Sequence, residues 1–147
     1  MHPISLWLYV CDCWNDCVQV FGDDGLFLFR FETGRSWEPR ELAIDSHTES
    51  VYVTGRSVGG INVFSTRGEY RCQIGVNDVP YHYIAVHPMT LHVIAWNMMR
   101  RELHVYTPDG QRVQIIFGDM ICLLPLGSTH RIAVIDPAGD VYVKMLA

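Results

Sequence analysis

Tyr9-Val10-Cys11-Asp12-Cys13-Trp14-Asn15-Asp16-Cys17-Val18-Gln19-Val20-Phe21 returns 43 positions later as Tyr52-Val53-Thr54-Gly55-Arg56-Ser57-Val58-Gly59-Gly60-Ile61-Asn62-Val63-Phe64. Tyr9 meets Tyr52, Val10 meets Val53, Val20 meets Val63 and Phe21 meets Phe64, with no gap between them. Further on, Gly25 meets Gly68 and Phe27 meets Tyr70. A third copy follows 41–42 positions later: His92-Val93-Ile94 answers Val51-Tyr52-Val53, Leu103-His104-Val105-Tyr106 answers Ile61-Asn62-Val63-Phe64, and Gly110 answers Gly68. A linking segment recurs as Glu41-Leu42-Ala43-Ile44-Asp45, Tyr83-Ile84-Ala85-Val86-His87 and Arg131-Ile132-Ala133-Val134-Ile135-Asp136. Self-similarity at a fixed period marks a stacked repeat.

The runs inside each unit are short and rich in Val, Ile, Tyr and Phe, and many alternate apolar with polar residues, as a half-buried strand does. Asp24-Gly25, Arg67-Gly68, Asp109-Gly110 and Ala138-Gly139 punctuate them with the positive φ that tight hairpins need. No segment carries a helical stripe. Four short strands in every unit of about 42 residues is the pattern of propeller blades. The expected fold is therefore all-β: a partial β-propeller of about three four-stranded antiparallel blades. The units run over 6–45, 51–87 and 92–136, with a final strand at 139–145. Within a unit, strand a is 41–45, b is 51–54, c is 61–64 and d is 70–74. On this spacing the chain starts and ends on a strand b.

Composition bounds the function. A length of 147 residues suits one domain. An apolar share of 49% against 18% charged excludes disorder, and no run long enough to span a membrane escapes a charge. The net charge of −5 argues against a nucleic-acid protein, though not against a local basic patch. The first residues lack the basic start and long apolar run of a signal peptide. Five cysteines, an odd number, fit reduced thiols in an intracellular compartment, so a cytoplasmic location is expected.

The segment from Tyr9 to Phe21 resembles the NHL repeat, whose pattern runs as an aromatic-Val-Ala-Asp, an Asn three residues on, and then Val-Gln-Val-Phe before an Asp-Gly turn. Pro39-Arg40-Glu41-Leu42-Ala43-Ile44-Asp45 is similar to the segment that opens that repeat. Val51-Tyr52-Val53-Thr54 also resembles the related YVTN repeat. The likeness weakens along the chain: Gly55 and Val58 stand where the Asp and Asn belong, and the third unit keeps only the apolar frame. The resemblance implies a six-bladed ring, of which this chain would be half. Either it is a piece of a larger protein, or a homodimer closes the ring about the propeller axis. It also implies a non-catalytic binding module for a protein or peptide, since members of the family often recognise partners. A subset reads single-stranded RNA.

In propellers the b–c and d–a loops gather on one face, and function concentrates on such loops. Here they carry Trp14, Arg40, Arg56, Tyr81, Trp96, Arg100 and Arg101, the residue types that dominate interface energy. These seven are the expected binding residues, with Arg35, Trp37 and His82 beside them. For RNA, the arginines would form the basic patch and Trp14, Trp37 or Trp96 would stack bases. No catalytic residues, metal site or cofactor is assigned. Cys11-x-Cys13-x3-Cys17 lacks the zinc-ribbon spacing, and packing explains it more simply. The histidines do not converge, and Asp45, His87 and Asp136 fall at one repeated turn position. A metal-dependent propeller lyase or hydrolase and a decayed repeat fragment are the remaining alternatives.

Overall fold

The computed structural model describes residues 7–56, 58–75 and 79–117, together with the backbone of three later strands. Among the described residues fourteen strands form four antiparallel sheets. The first holds β1 (Leu8–Asp12), β2 (Cys17–Phe21) and β3 (Phe27–Glu32). The second holds β4 (Pro39–Asp45), β5 (Ser50–Gly55), β6 (Ile61–Ser65) and β7 (Tyr70–Ile74). The third holds β8 (Tyr83–Val86), β9 (Val93–Asn97), β10 (Glu102–Tyr106) and β11 (Arg112–Phe117). The last holds β12 (Cys122–Pro125), β13 (Arg131–Ile135) and β14 (Val141–Met145). Every sheet is a meander of sequential neighbours. Leading strands touch from sheet to sheet, β1 on β4, β4 on β8 and β8 on β12, so the sheets fan around a common inner edge. This is the all-β partial propeller that the repeat predicts. No helix among the described residues is long and apolar enough to cross a membrane.

Two assignments differ from the sequence reading. Arg131-Ile132-Ala133-Val134-Ile135 is not the leading strand of its sheet. Cys122–Pro125 takes that place against β8, so the chain's last strand is the third of its sheet. A leading strand has a neighbour on one side only, which is why Pro125 is tolerated there. Among the described residues the sheets hold three, four, four and three strands. The second difference is a one-residue shift. Val93 lies opposite Tyr106 as Val51 lies opposite Phe64, so Val93, not His92, answers Val51. The Ala138-Gly139 turn and Asp136 lie outside the described residues.

Alternation along the strands buries one face of each sheet against the next. Tyr9, Val18, Val20 and Phe31 of the first sheet pack on Val51, Val53 and Phe64 of the second, with Trp37 between them. Tyr52, Ile61, Val63 and Ile74 then pack on Val93, Ala95 and Tyr106 of the third. The seams are pinned by hydrogen bonds: Tyr9 donates to the Thr66 carbonyl at 2.7 Å and Asn62 Nδ2 to the Thr33 carbonyl at 2.9 Å. The repeated turn position is structural. Asp45 accepts the His47 amide at 2.9 Å, and His87 Nδ1 accepts the Met89 amide at 3.2 Å, each ordering the turn two residues on.

Candidate functional site

The loops that follow β1, β5 and β9 share one side of the fan with the loops that precede β4 and β8. Hydrogen bonds tie the two sets together. The Asp16 carboxylate accepts the amides of Ser36 and Glu38, both at 2.8 Å. The Arg56 amide donates to the Glu38 carbonyl at 2.9 Å, and the Met98 amide to His82 Nδ1 at 3.0 Å.

The repeat's Asp and Asn organise these loops. Asp12 accepts from Asn15 Nδ2 at 2.9 Å and Gln19 Nε2 at 2.8 Å, and those bonds hold its carboxyl below the usual range. Asn97 occupies the same place in the third unit and accepts the Arg100 amide at 2.7 Å. The second unit has Gly55 there for a steric reason: a Cβ would stand 2.8 Å from the Trp37 carbonyl and 3.1 Å from its indole. The motif is lost where a neighbouring ring fills its space.

Arg40 and Arg56 line a cleft of about 290 Å3 with Cys11, Cys13 and Pro39. The Arg56 guanidinium lies 5.8 Å from the centre of the Trp14 ring, which is 81% exposed. Both arginines are exposed, and neither forms a salt bridge with a carboxylate among the described residues. Burial pushes the Cys11 thiol up to about 12, with Glu41 and Cys13 adding to it. Cys11 is therefore a neutral wall at ordinary pH and not a nucleophile, since the thiolate is the reactive form. Burial also raises the Glu41 carboxyl above its ordinary 4.5, against the pull of Arg40. His82 is held below its ordinary 6.5 by burial and then by Arg40. Among the described residues no group of His, Cys, Asp and Glu is placed to hold a metal ion.

The Glu41 shift has a stability consequence. A carboxyl raised in the folded state binds more protons there than when unfolded, so it destabilises as pH rises from 4.5 through its folded value. Glu41→Gln is expected to raise the melting temperature at pH 7–8 relative to wild type, with the difference shrinking below about pH 4.5. Thermal melts across pH would read this, and a variant less stable at pH 8 than at pH 4 relative to wild type would refute it.

The other sequence candidates lie elsewhere. Arg100 and Arg101 are exposed in the β9–β10 turn and do not line the cleft. Trp96 and Tyr81 are core residues, 2% and 0% exposed, and so are withdrawn from any docking surface. Trp96 is the fourth residue of β9 and packs with Ile94, Leu103 and Val105. Tyr81 anchors a buried chain that the sequence reading missed. Its hydroxyl lies 2.5 Å from the Tyr106 hydroxyl and 2.7 Å from His104 Nδ1, and His104 Nε2 lies 2.8 Å from Glu102. Its one signal was His104 standing in Asn62's place on a buried strand face. Tyr81→Phe keeps the ring but leaves these buried groups short of a partner, for an expected loss of about 1–3 kcal/mol by urea unfolding. An unchanged midpoint would show the contact to be dispensable.

No family model matches the chain, and no curated protein matches it. Among solved structures it is similar to one titled as a streptogramin B lyase structure, with a TM-score of 0.72 and 9% identity. The match covers 97% of this chain and 52% of the other, so the chain spans about half that structure's length. The fold is that of a β-propeller. At this identity the likeness carries the fold alone, and the NHL resemblance stays a resemblance of motif.

Proposed function

We propose that the chain is part of a non-catalytic propeller binding module that docks a protein or peptide through its loop side, with an acidic side chain of the partner seated between Arg40 and Arg56. The supporting observation is the cleft, where two exposed guanidiniums without carboxylate partners among the described residues flank a recess of about 290 Å3 beside an exposed indole. Arginine presents a planar fork that matches a carboxylate, and Trp with Arg is the usual composition of an interface anchor. The thiol wall is neutral, so the local charge is set by the arginines. The overall charge of −5 makes the acceptance of an acid here a local effect of these two side chains.

Fluorescence anisotropy with a labelled hexaglutamate peptide tests the reading. Binding should weaken roughly tenfold in each of Arg40→Ala and Arg56→Ala, about 1.4 kcal/mol apiece. Binding of a single-stranded oligouridine that exceeds that of the peptide would favour the RNA reading instead. Equal binding by wild type and the double variant would reject the cleft.

A further inference from the structure

Two of the loop-side connections are one and the same turn. Asp12 pairs with Cys17 and Asn97 with Glu102, so four residues join β1 to β2 and four join β9 to β10. The fourth residue is left-handed in both, Asp16 at φ +52° and Arg101 at φ +56°, an uncommon conformation for a residue other than glycine. The residue before each turn ties it down through its side chain: Asn97 accepts the Arg100 amide at 2.7 Å, and Asp12 accepts Asn15 Nδ2 at 2.9 Å. Backbone and cap thus set the tip, and its side chains are left to point where they will.

Those side chains differ in sequence, Cys13-Trp14-Asn15-Asp16 against Met98-Met99-Arg100-Arg101. Yet the second of the four is large and apolar in each, and Trp14 and Met99 are both 81% exposed. Neither ring nor thioether adds burial to the fold there. A cation accompanies each: Arg56 lies over the Trp14 ring, and the exposed Arg100 follows Met99. The connection between β5 and β6 is longer, 55–60, and turns its apolar residue inward, with Val58 packed against the core. It offers Arg56 to the loop side instead. Leading strands touch in the order β1, β4, β8, so an apolar tip, the Arg40–Arg56 cleft and a second apolar tip follow one another. His82 joins the last two. It stands directly before β8, which packs against the strand of Arg40, and its Nδ1 accepts the Met98 amide at 3.0 Å.

We propose that Met99 is a second anchor for the docked partner, the counterpart of Trp14, so that the bound segment carries its acidic side chain at the cleft and apolar side chains on both sides of it. The inference rests on the acid-docking reading of the cleft and adds the partner's pattern to it. Trp, Met and Arg are enriched where protein surfaces meet, and the unbranched thioether of Met adapts to the apolar group it covers. The arginines fix the register through the acid, and the two tips bury what flanks it.

Anisotropy with two labelled peptides is the test: hexaglutamate, and hexaglutamate with two leucines added at each end. The flanked peptide is expected to bind wild type about tenfold more tightly, the effect of burying part of the added leucine surface. Met99→Ser should cut that ratio to about threefold. Met89→Ser removes a methionine that is 55% exposed in the turn between β8 and β9, at the other end of these strands, and should keep the full ratio. Arg40→Ala should weaken both peptides. A wild type that binds the two peptides equally, or a tenfold ratio that survives Met99→Ser, would overturn the second anchor, while hexaglutamate binding that depends on Arg40 and Arg56 would leave the cleft standing. Hexaglutamate binding indifferent to Arg40→Ala and Arg56→Ala would overturn both.

Discussion

Trp96→Ala should lower the unfolding free energy by about 3–5 kcal/mol, the cost of truncating a large aromatic in a packed core. The indole is 2% exposed on β9 and fills the space among Ile94, Leu103, Val105 and the half-buried Ile116. For a domain of this size that loss corresponds to a melting temperature lower by on the order of 10 °C. The chemistry of the ring refines the expectation. Its Nε1 is buried without a hydrogen-bond partner among the described residues, so Trp96→Phe gives up contact area but no hydrogen bond. The phenylalanine variant should therefore retain more than half of the stability that alanine loses. Urea unfolding followed by circular dichroism separates the two. If Trp96 were a surface anchor, both variants would melt with wild type and only binding would change.

Gly68→Val is the second large effect expected. The residue closes the β6–β7 turn at φ +89°, where a β-branched side chain is strained by roughly 1–2 kcal/mol. The new Cβ would also stand 2.7 Å from Phe31, itself buried and packed at 5.0 Å on Phe64. Forcing atoms into such a seam costs about 1–3 kcal/mol more, since neither ring can yield without opening the contact between the first two sheets. The destabilisation should thus exceed what turn strain alone produces. Phe31→Ala in the same chain makes room for the valine, so the double variant should lose less than the sum of the single losses. Strict additivity would mean that the two residues do not meet.

The same residues explain what could be read in advance. The blade period was legible because each level repeats it: apolar residues alternate, the turns carry Gly25, Gly68 and Gly110 at positive φ, and Tyr9 and Tyr52 occupy one place. The last sheet was misaligned because leading and second strands use the same short apolar vocabulary. Ile132-Ala133-Val134 looks like Leu42-Ala43-Ile44, and only pairing distinguishes them. On the loop side, the exposed placement of Trp14, Arg40 and Arg56 was legible because they stand in or beside short connections of settled length. The placement of Trp96 and Tyr81 was not: β9 is buried on both faces, so Trp96 lies in the core whichever face it is on, and Tyr81 is drawn inward by His104 and Tyr106, partners 23 and 25 positions away that no local pattern contains. The loss of the Asp at Gly55 looked like decay of the repeat. It is a fit to Trp37, a contact between residues 18 positions apart that no local pattern contains.

The Arg56–Trp14 pair gives the cleft an optical signature. Of the described tryptophans, Trp37 and Trp96 are buried and Trp7 is half-buried beneath Arg67, while Trp14 is 81% exposed with one cation at its face. Its emission is expected at longer wavelength than that of the buried pair, and through its contact with Arg56 it is the ring that an occupant spreading from the cleft over that arginine would dehydrate. Filling the recess should move the protein's fluorescence toward the blue and shield it from a soluble quencher such as acrylamide. Trp14→Phe erases that response while leaving the buried rings dark to it, so the chain carries its own label for the search for a ligand.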